Sequence, residues 1–221
     1  MSGPLAMVGG GEWQDGCDFD RELLAASGAD EVVVIPAAAS YEHPERAVER
    51  ATAWFAGLGA TVRGLPVLGR PDASDPDNVA AVRAARFIYL ADGSPLHLRS
   101  VLKDAPLWDA VAAAWDDGAV LAGSAAGAMV LCDPMVDPRG GAFTLGLGLV
   151  AQLTIIPRHD HWSAEAARRT LDLSPEGLAV IGVDERTALL RDPDGTWRAA
   201  GAGNVAVFVG GKPAELTDLT A

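Results

Sequence analysis

Over the N-terminal part of the chain, short runs of Val, Ile and Leu alternate with longer Ala- and Leu-rich stretches whose apolar residues recur every three to four positions. That alternation is the signature of βαβ units and a parallel sheet. It predicts strands over 5–8, 31–35, 61–67, 87–90 and 119–122, and helices over 20–26, 44–58, 79–85 and 108–115. Pro44 suits a first helical turn, where its missing N–H is one of the donors left unpaired anyway. Further on, the apolar runs shorten and are broken by Gly, Pro and Asp, so 178–183, 187–190, 197–200 and 205–209 read as antiparallel strands. Between two of them, Asp192-Pro193-Asp194-Gly195 is a turn, with Pro fixing φ and Gly accepting a positive φ.

Nothing in the chain looks like a linker or a repeat. A length of 221 residues with 49% hydrophobic and 21% charged residues suits one α/β domain over 1–221. The expected architecture is a doubly wound, mostly parallel sheet with an antiparallel C-terminal extension. The formal charge is −13 and the lysines are Lys103 and Lys212, which argues against a phosphate-backbone or anionic-membrane surface. Two distant cysteines, Cys17 and Cys132, and no basic leader or apolar run of membrane-spanning length give the expectation of a reduced, cytoplasmic protein.

Ligands of open α/β sheets sit outside the carboxyl ends of the strands. Those positions are Gly9-Gly10-Gly11-Glu12, Ala37 to Tyr41, Asp92-Gly93-Ser94 and Gly123 onward. A dinucleotide fingerprint starting at Gly9 fails, because glycine would be required where Gln14 stands. The informative stretch is Ala119-Val120-Leu121-Ala122-Gly123-Ser124-Ala125-Ala126-Gly127-Ala128-Met129. An apolar strand enters Gly-x-x-x-Gly and then a helical segment, the layout of a nucleophile elbow whose flanking glycines permit a sharp turn. Its vertex is Ala125, with a serine only one residue earlier, at Ser124. The bland alternative is a strand–helix crossing where small residues merely permit close packing.

These segments resemble the aspartyl dipeptidase (dipeptidase E) and cyanophycinase group of serine peptidases. Gly9 to Glu12 is similar to that family's glycine run, and Asp92 to Leu98 to its oxyanion loop. Gly123 to Met129 resembles its Gly-Ser-Ser-Ala-Gly-Ala-Met, and Gly182 to Leu189 its Gly-Ile-Asp-Glu-x-Thr-Ala-Leu. The resemblance implies a type 1 glutamine amidotransferase-like, flavodoxin-like fold and hydrolysis of peptide bonds after aspartate. It places Ala125 at the nucleophile position, Glu185 as the acidic triad member, and either His161 or His159 as the histidine, with His161 preferred. The N–H groups of Gly93 and Ala126 would form the oxyanion site, beside Asp92, Gly10 and Gly11. Asp92 stands where the family has glycine.

With alanine at the vertex, the expected loss of turnover is on the order of a millionfold. Three readings follow: an impaired or inactive peptidase, a pseudoenzyme or scaffold binding an acidic peptide or small ligand, and a weak hydrolase using Ser124. The third requires the Ser124 hydroxyl within reach of a histidine. His159-Asp160-His161 could also present two imidazoles on one face of an extended strand to a metal, but the run fails at Ser163-Ala164. The expectation is therefore no metal and no cofactor, a small peptide or acidic molecule as ligand, no nucleic acid or membrane partner, and room for a homodimer. Arg158, Arg168 and Arg186 are the candidates for pairing with a ligand carboxylate, and Trp13 and Trp162 for walling a pocket.

Overall fold

The structure, a computed structural model, describes residues 1–219. The chain begins with β1 (Leu5–Val8), α1 (Phe19–Ser27), β2 (Glu31–Ile35), α2 (Pro44–Gly57), β3 (Thr61–Gly64), α3 (Pro76–Ala84) and β4 (Phe87–Leu90). It continues through α4 (Pro95–Leu102), α5 (Pro106–Asp116), β5 (Val120–Ser124) and the single turn α6 (Ala126–Met129). Four of these helices, α2 to α5, start on proline at the position where a missing N–H costs nothing. Asp75 and Ser94 cap α3 and α4 by accepting from the N–H groups of Asp77 and His97.

The later elements are β6 (Met135–Val136), β7 (Phe143–Thr144), β8 (Leu153–Pro157), α7 (Ala164–Asp172), β9 (Ala179–Val183), β10 (Thr187–Arg191), β11 (Trp197–Gly201), β12 (Val205–Val209) and β13 (Lys212–Ala214). Among the described residues the main sheet has the order β11-β10-β1-β5-β4-β2-β3. Its five strands from β1 to β3 are parallel, and the antiparallel hairpin β10–β11 is added at the β1 side. The predicted turn closes that hairpin, with the Gly195 N–H on the Asp192 carbonyl and φ 91° at Gly195.

Alternate residues of each central strand point to opposite faces. Leu5 and Met7 join one core cluster and Ala6 and Val8 the other, with Val33 and Ile35 set against Val32 and Val34 in the same way. On one face, α2 lays Ala47, Ala51 and Phe55 onto the sheet at helical spacing. On the other lie α3, α4, α5 and a second sheet, β13-β12-β9-β8, whose Ile155, Ile181 and Val207 join that core.

Four expectations need correcting. The third strand stops at Gly64, because Leu65-Pro66-Val67 folds back on itself with the Val67 N–H on the Leu65 carbonyl. Residues after Ser94 form α4 rather than a loop. The run 153–157, not anticipated as a strand, is β8 and pairs in parallel with β9. Finally, the C-terminal strands divide: β10 and β11 extend the main sheet, while β9 and β12 leave it for the second. No helix among the described residues is long and apolar enough to cross a membrane.

Candidate functional site

The carboxyl ends of β1, β4, β5, β8 and β9 meet at one end of the molecule. Main-chain bonds set their spacing: the Ala125 N–H donates to the Val8 carbonyl at 2.8 Å, the Arg158 N–H to Gly9 at 2.7 Å, and the Arg186 N–H to Gly10 at 2.8 Å. Ala125 turns the chain from β5 into α6 with φ 39° and ψ −98°, a conformation that side chains rarely adopt. The flanking glycines are required by contact. A Cβ on Gly123 would lie 2.5 Å from the Gly127 backbone, and one on Gly127 2.3 Å from the Leu90 carbonyl oxygen. The strand–turn–helix of an elbow is present, and a methyl group stands at its vertex.

A continuous series of polar contacts runs outward from that turn. Asp92 Oδ1 accepts from both the Gly93 N–H, at 2.6 Å, and the Ala126 N–H, at 3.1 Å. Asp92 Oδ2 accepts from Arg158 Nη2 at 2.6 Å, and Arg158 Nε donates to Glu185 Oε1 at 2.9 Å. Glu185 Oε2 lies 3.6 Å from His161 Nε2, which also stands 3.5 Å from Asp160 Oδ2. Burial works against the Arg158 charge, but the carboxylates of Asp92 and Glu185 outweigh it and raise the guanidinium pKa. Gly10 and Gly11 border this series: a Cβ on the first would touch the Arg158 side chain, and one on the second would sit 3.5 Å from Glu185 Cβ.

The two histidines part company. His159, Asp160 and His161 form a 3₁₀ turn instead of an extended strand, entered through Arg158 at φ 50°. The His159 ring lies over Gly182 and near Phe208, with Nδ1 3.9 Å from Asp184 Oδ1, and so belongs to the second sheet. His161 is 65% exposed and faces Glu185. Among the described residues no three His, Cys, Asp or Glu side chains are grouped to hold a metal.

Ser124 corrects another expectation. It is fully buried, and its hydroxyl donates to Glu12 Oε2 at 2.8 Å, so it points into the protein instead of toward either histidine. Burial raises the Glu12 carboxyl above its ordinary pKa, with Asp92 adding to the effect and the Ser124 hydrogen bond opposing it. No motif in the sequence gives Glu12 a role, and its one signal there is an acid directly after a glycine run at the end of an apolar strand. Of the arginine candidates, Arg158 is in the site, Arg168 pairs with Asp172 along α7 at 3.7 Å, and Arg186 stands beside the glycine run with φ 56°. Trp13 is buried against Tyr89, ring centroids 5.0 Å apart. Trp162 helps to wall a cleft of about 510 Å³ beside His161, between residues 138–141 and α7, which Arg139 and Arg169 also line.

The family model described as peptidase family S51 matches residues 5–196. A cyanophycinase from Synechococcus elongatus is 28% identical over 195 residues, covering 82% of this chain and 60% of that protein. A cyanophycinase from Nostoc sp. (strain PCC 7120) is 28% identical over 229 residues, covering 96% of this chain and 74% of the relative. Among solved structures, a peptidase from an acI-B1 Actinobacterium superposes with a TM-score of 0.85 at 32% identity, covering 95% of this chain and 92% of the other. A putative peptidase E protein from Listeria monocytogenes EGD-e has the same fold, with a TM-score of 0.66 at 15% identity over 95% of this chain and 99% of its own.

Proposed function

Since the chain belongs to peptidase family S51, we propose that it is a serine-peptidase-like protein whose elbow has lost its nucleophile and which binds an acidic peptide or small acidic molecule without cleaving it. The observation that carries this reading is Ala125 at the strained vertex, φ 39°, where the attacking hydroxyl of the family chemistry would stand. A methyl group has neither a lone pair to attack a carbonyl nor a proton to hand on. Of the remaining candidates, His161 and Glu185 stand 3.6 Å apart, which supports a paired role for them. In the family chemistry, His161 would take the proton of a hydroxyl at position 125, and Glu185 would orient the imidazole and stabilise its charged form. Without the hydroxyl, at most the roughly 10³- to 10⁴-fold contributed by binding and anion stabilisation would remain.

Two arginines in the cleft beside His161 favour an acidic ligand, although Glu165 lines it as well. Arg139 lines it while paired with Asp137 at 2.6 Å, and Arg169 lines it without an ion pair among the described residues. Calorimetric titration with Asp-X dipeptides and with N-acetylaspartate tests the reading. Saturable binding, no product after prolonged incubation, and about tenfold weaker binding in Arg169→Ala, equal to 1.4 kcal/mol, are expected. Hydrolysis of any of these peptides by the unmodified protein would overturn it.

A further inference from the structure

We infer that Asp92 is a built-in occupant of the oxyanion position, so that the site is closed to acyl transfer twice over, once at residue 125 and again at residue 92. Two backbone N–H groups from different segments, Gly93 after β4 and Ala126 after the elbow, converge on the single oxygen Asp92 Oδ1 at 2.6 and 3.1 Å. Two amide donors meeting at one point beside a nucleophile elbow is the geometry that stabilises the oxygen of a tetrahedral intermediate. Here the point is filled by the chain's own carboxylate.

The occupant is held from behind. Asp92 Oδ2 takes the Arg158 guanidinium at 2.6 Å, and Arg158 is braced in turn by Glu185 at 2.9 Å. The donors are fixed as well: a Cβ on Gly93 would lie 2.3 Å from the Ala38 carbonyl oxygen, so that segment is pressed against its neighbour and has little room to turn its N–H elsewhere. Charge-assisted hydrogen bonds are roughly twice as strong as neutral ones. A substrate carbonyl, which is neutral until attacked, would have to displace a carboxylate from both amides and strip Arg158 of one of its two partners. An oxyanion forming nearby would also face like-charge repulsion from the displaced group.

This inference rests on the reading of residue 125 as the nucleophile position, and the test separates the two. Four proteins are treated with an alkyl fluorophosphonate and followed by intact mass: the unmodified chain, Ala125→Ser, Asp92→Gly, and the double variant. Labelling forms a bond from the introduced hydroxyl oxygen to phosphorus, breaks P–F, and releases fluoride and the hydroxyl proton. The double variant is expected to label at least about 10²-fold faster than Ala125→Ser, the scale of one oxyanion donor. Labelling of both those proteins at equal, measurable rates would overturn the inference while leaving the reading of residue 125 intact.

A second readout needs no chemistry at position 125. In the ¹⁵N–¹H spectrum, Asp92→Asn, which keeps the shape and removes the charge, is expected to move the Ala126 amide proton upfield; an unmoved Ala126 amide would overturn the inference. If that amide moves and no variant labels, the occupancy of Asp92 stands and the elbow reading falls.

Discussion

Asp20 is inaccessible to solvent on the first turn of α1, with one carboxylate oxygen accepting from Trp54 Nε1 at 2.9 Å and the other buried without a hydrogen-bond partner. Burial pushes its pKa from 3.8 up to about 8, with the Trp54 hydrogen bond pulling the other way. The native chain therefore holds a proton that the unfolded chain has released, between those two values. Stability from this group is complete below about pH 4, is lost as pH rises from about 4 to about 8, and is flat above, at up to about 1.4 kcal/mol per pH unit. Asp20→Asn keeps an oxygen for Trp54 and removes the titration. Urea unfolding at pH 5 and pH 8 should show the variant more stable than the parent at pH 8, with a smaller difference at pH 5. An identical pH dependence in both proteins would mean that Asp20 is ionised in the fold.

For single elements, Phe55 is the clearest anchor. It is fully buried at the end of the apolar stripe of α2, edge-on to Phe87 at 5.7 Å and Tyr89 at 6.4 Å on β4. Phe55→Ala should cost about 3–5 kcal/mol, measured by denaturant unfolding, and a loss below about 1 kcal/mol would show that α2 repacks over the sheet. The stripe that identifies α2 was plain in the sequence, as were β1, β2, β4 and β12, whose apolar runs end at turn residues. α4 was missed although Ser94 and Pro95 carried a cap and a first-turn signal, because Asp92-Gly93 drew the segment into the preceding loop. β8 was missed because a short apolar run ending in proline has no period to separate strand from helix. In the site, the elbow and Glu185 were visible as local motifs. The bridge from Asp92 through Arg158 to Glu185 was not, because it depends on three strand ends meeting in space.

In the molecule as a whole, the two sheets are joined at the site by Gly9. Its N–H donates to Thr187 of β10 and its carbonyl accepts from Arg158 at the end of β8. A Cβ here would lie 2.2 Å from the Asp184 carbonyl oxygen, with only backbone to give way. Gly9→Ala should therefore cost several kcal/mol, beyond the roughly 1–3 kcal/mol of ordinary overpacking. Hydrogen exchange should show the ends of β8 and β9 losing protection before β2 and β4, and uniform loss would argue against a local joint.

The place of β1 also sets an order of assembly. It is an inner strand of the main sheet, with all four residues buried, yet Leu5 is paired with Leu121 on one side and Arg191 on the other. A nascent chain makes this strand before either of its partners and must wait for β5, and longer still for the β10–β11 hairpin, before its edges are covered. Long-range pairings of this kind are slow to form, and an uncovered apolar edge invites pairing between chains. Chains stopped short of β10 would therefore leave β1 with an open edge inside the fold, and the same hairpin that follows Glu185 of the site is what covers it.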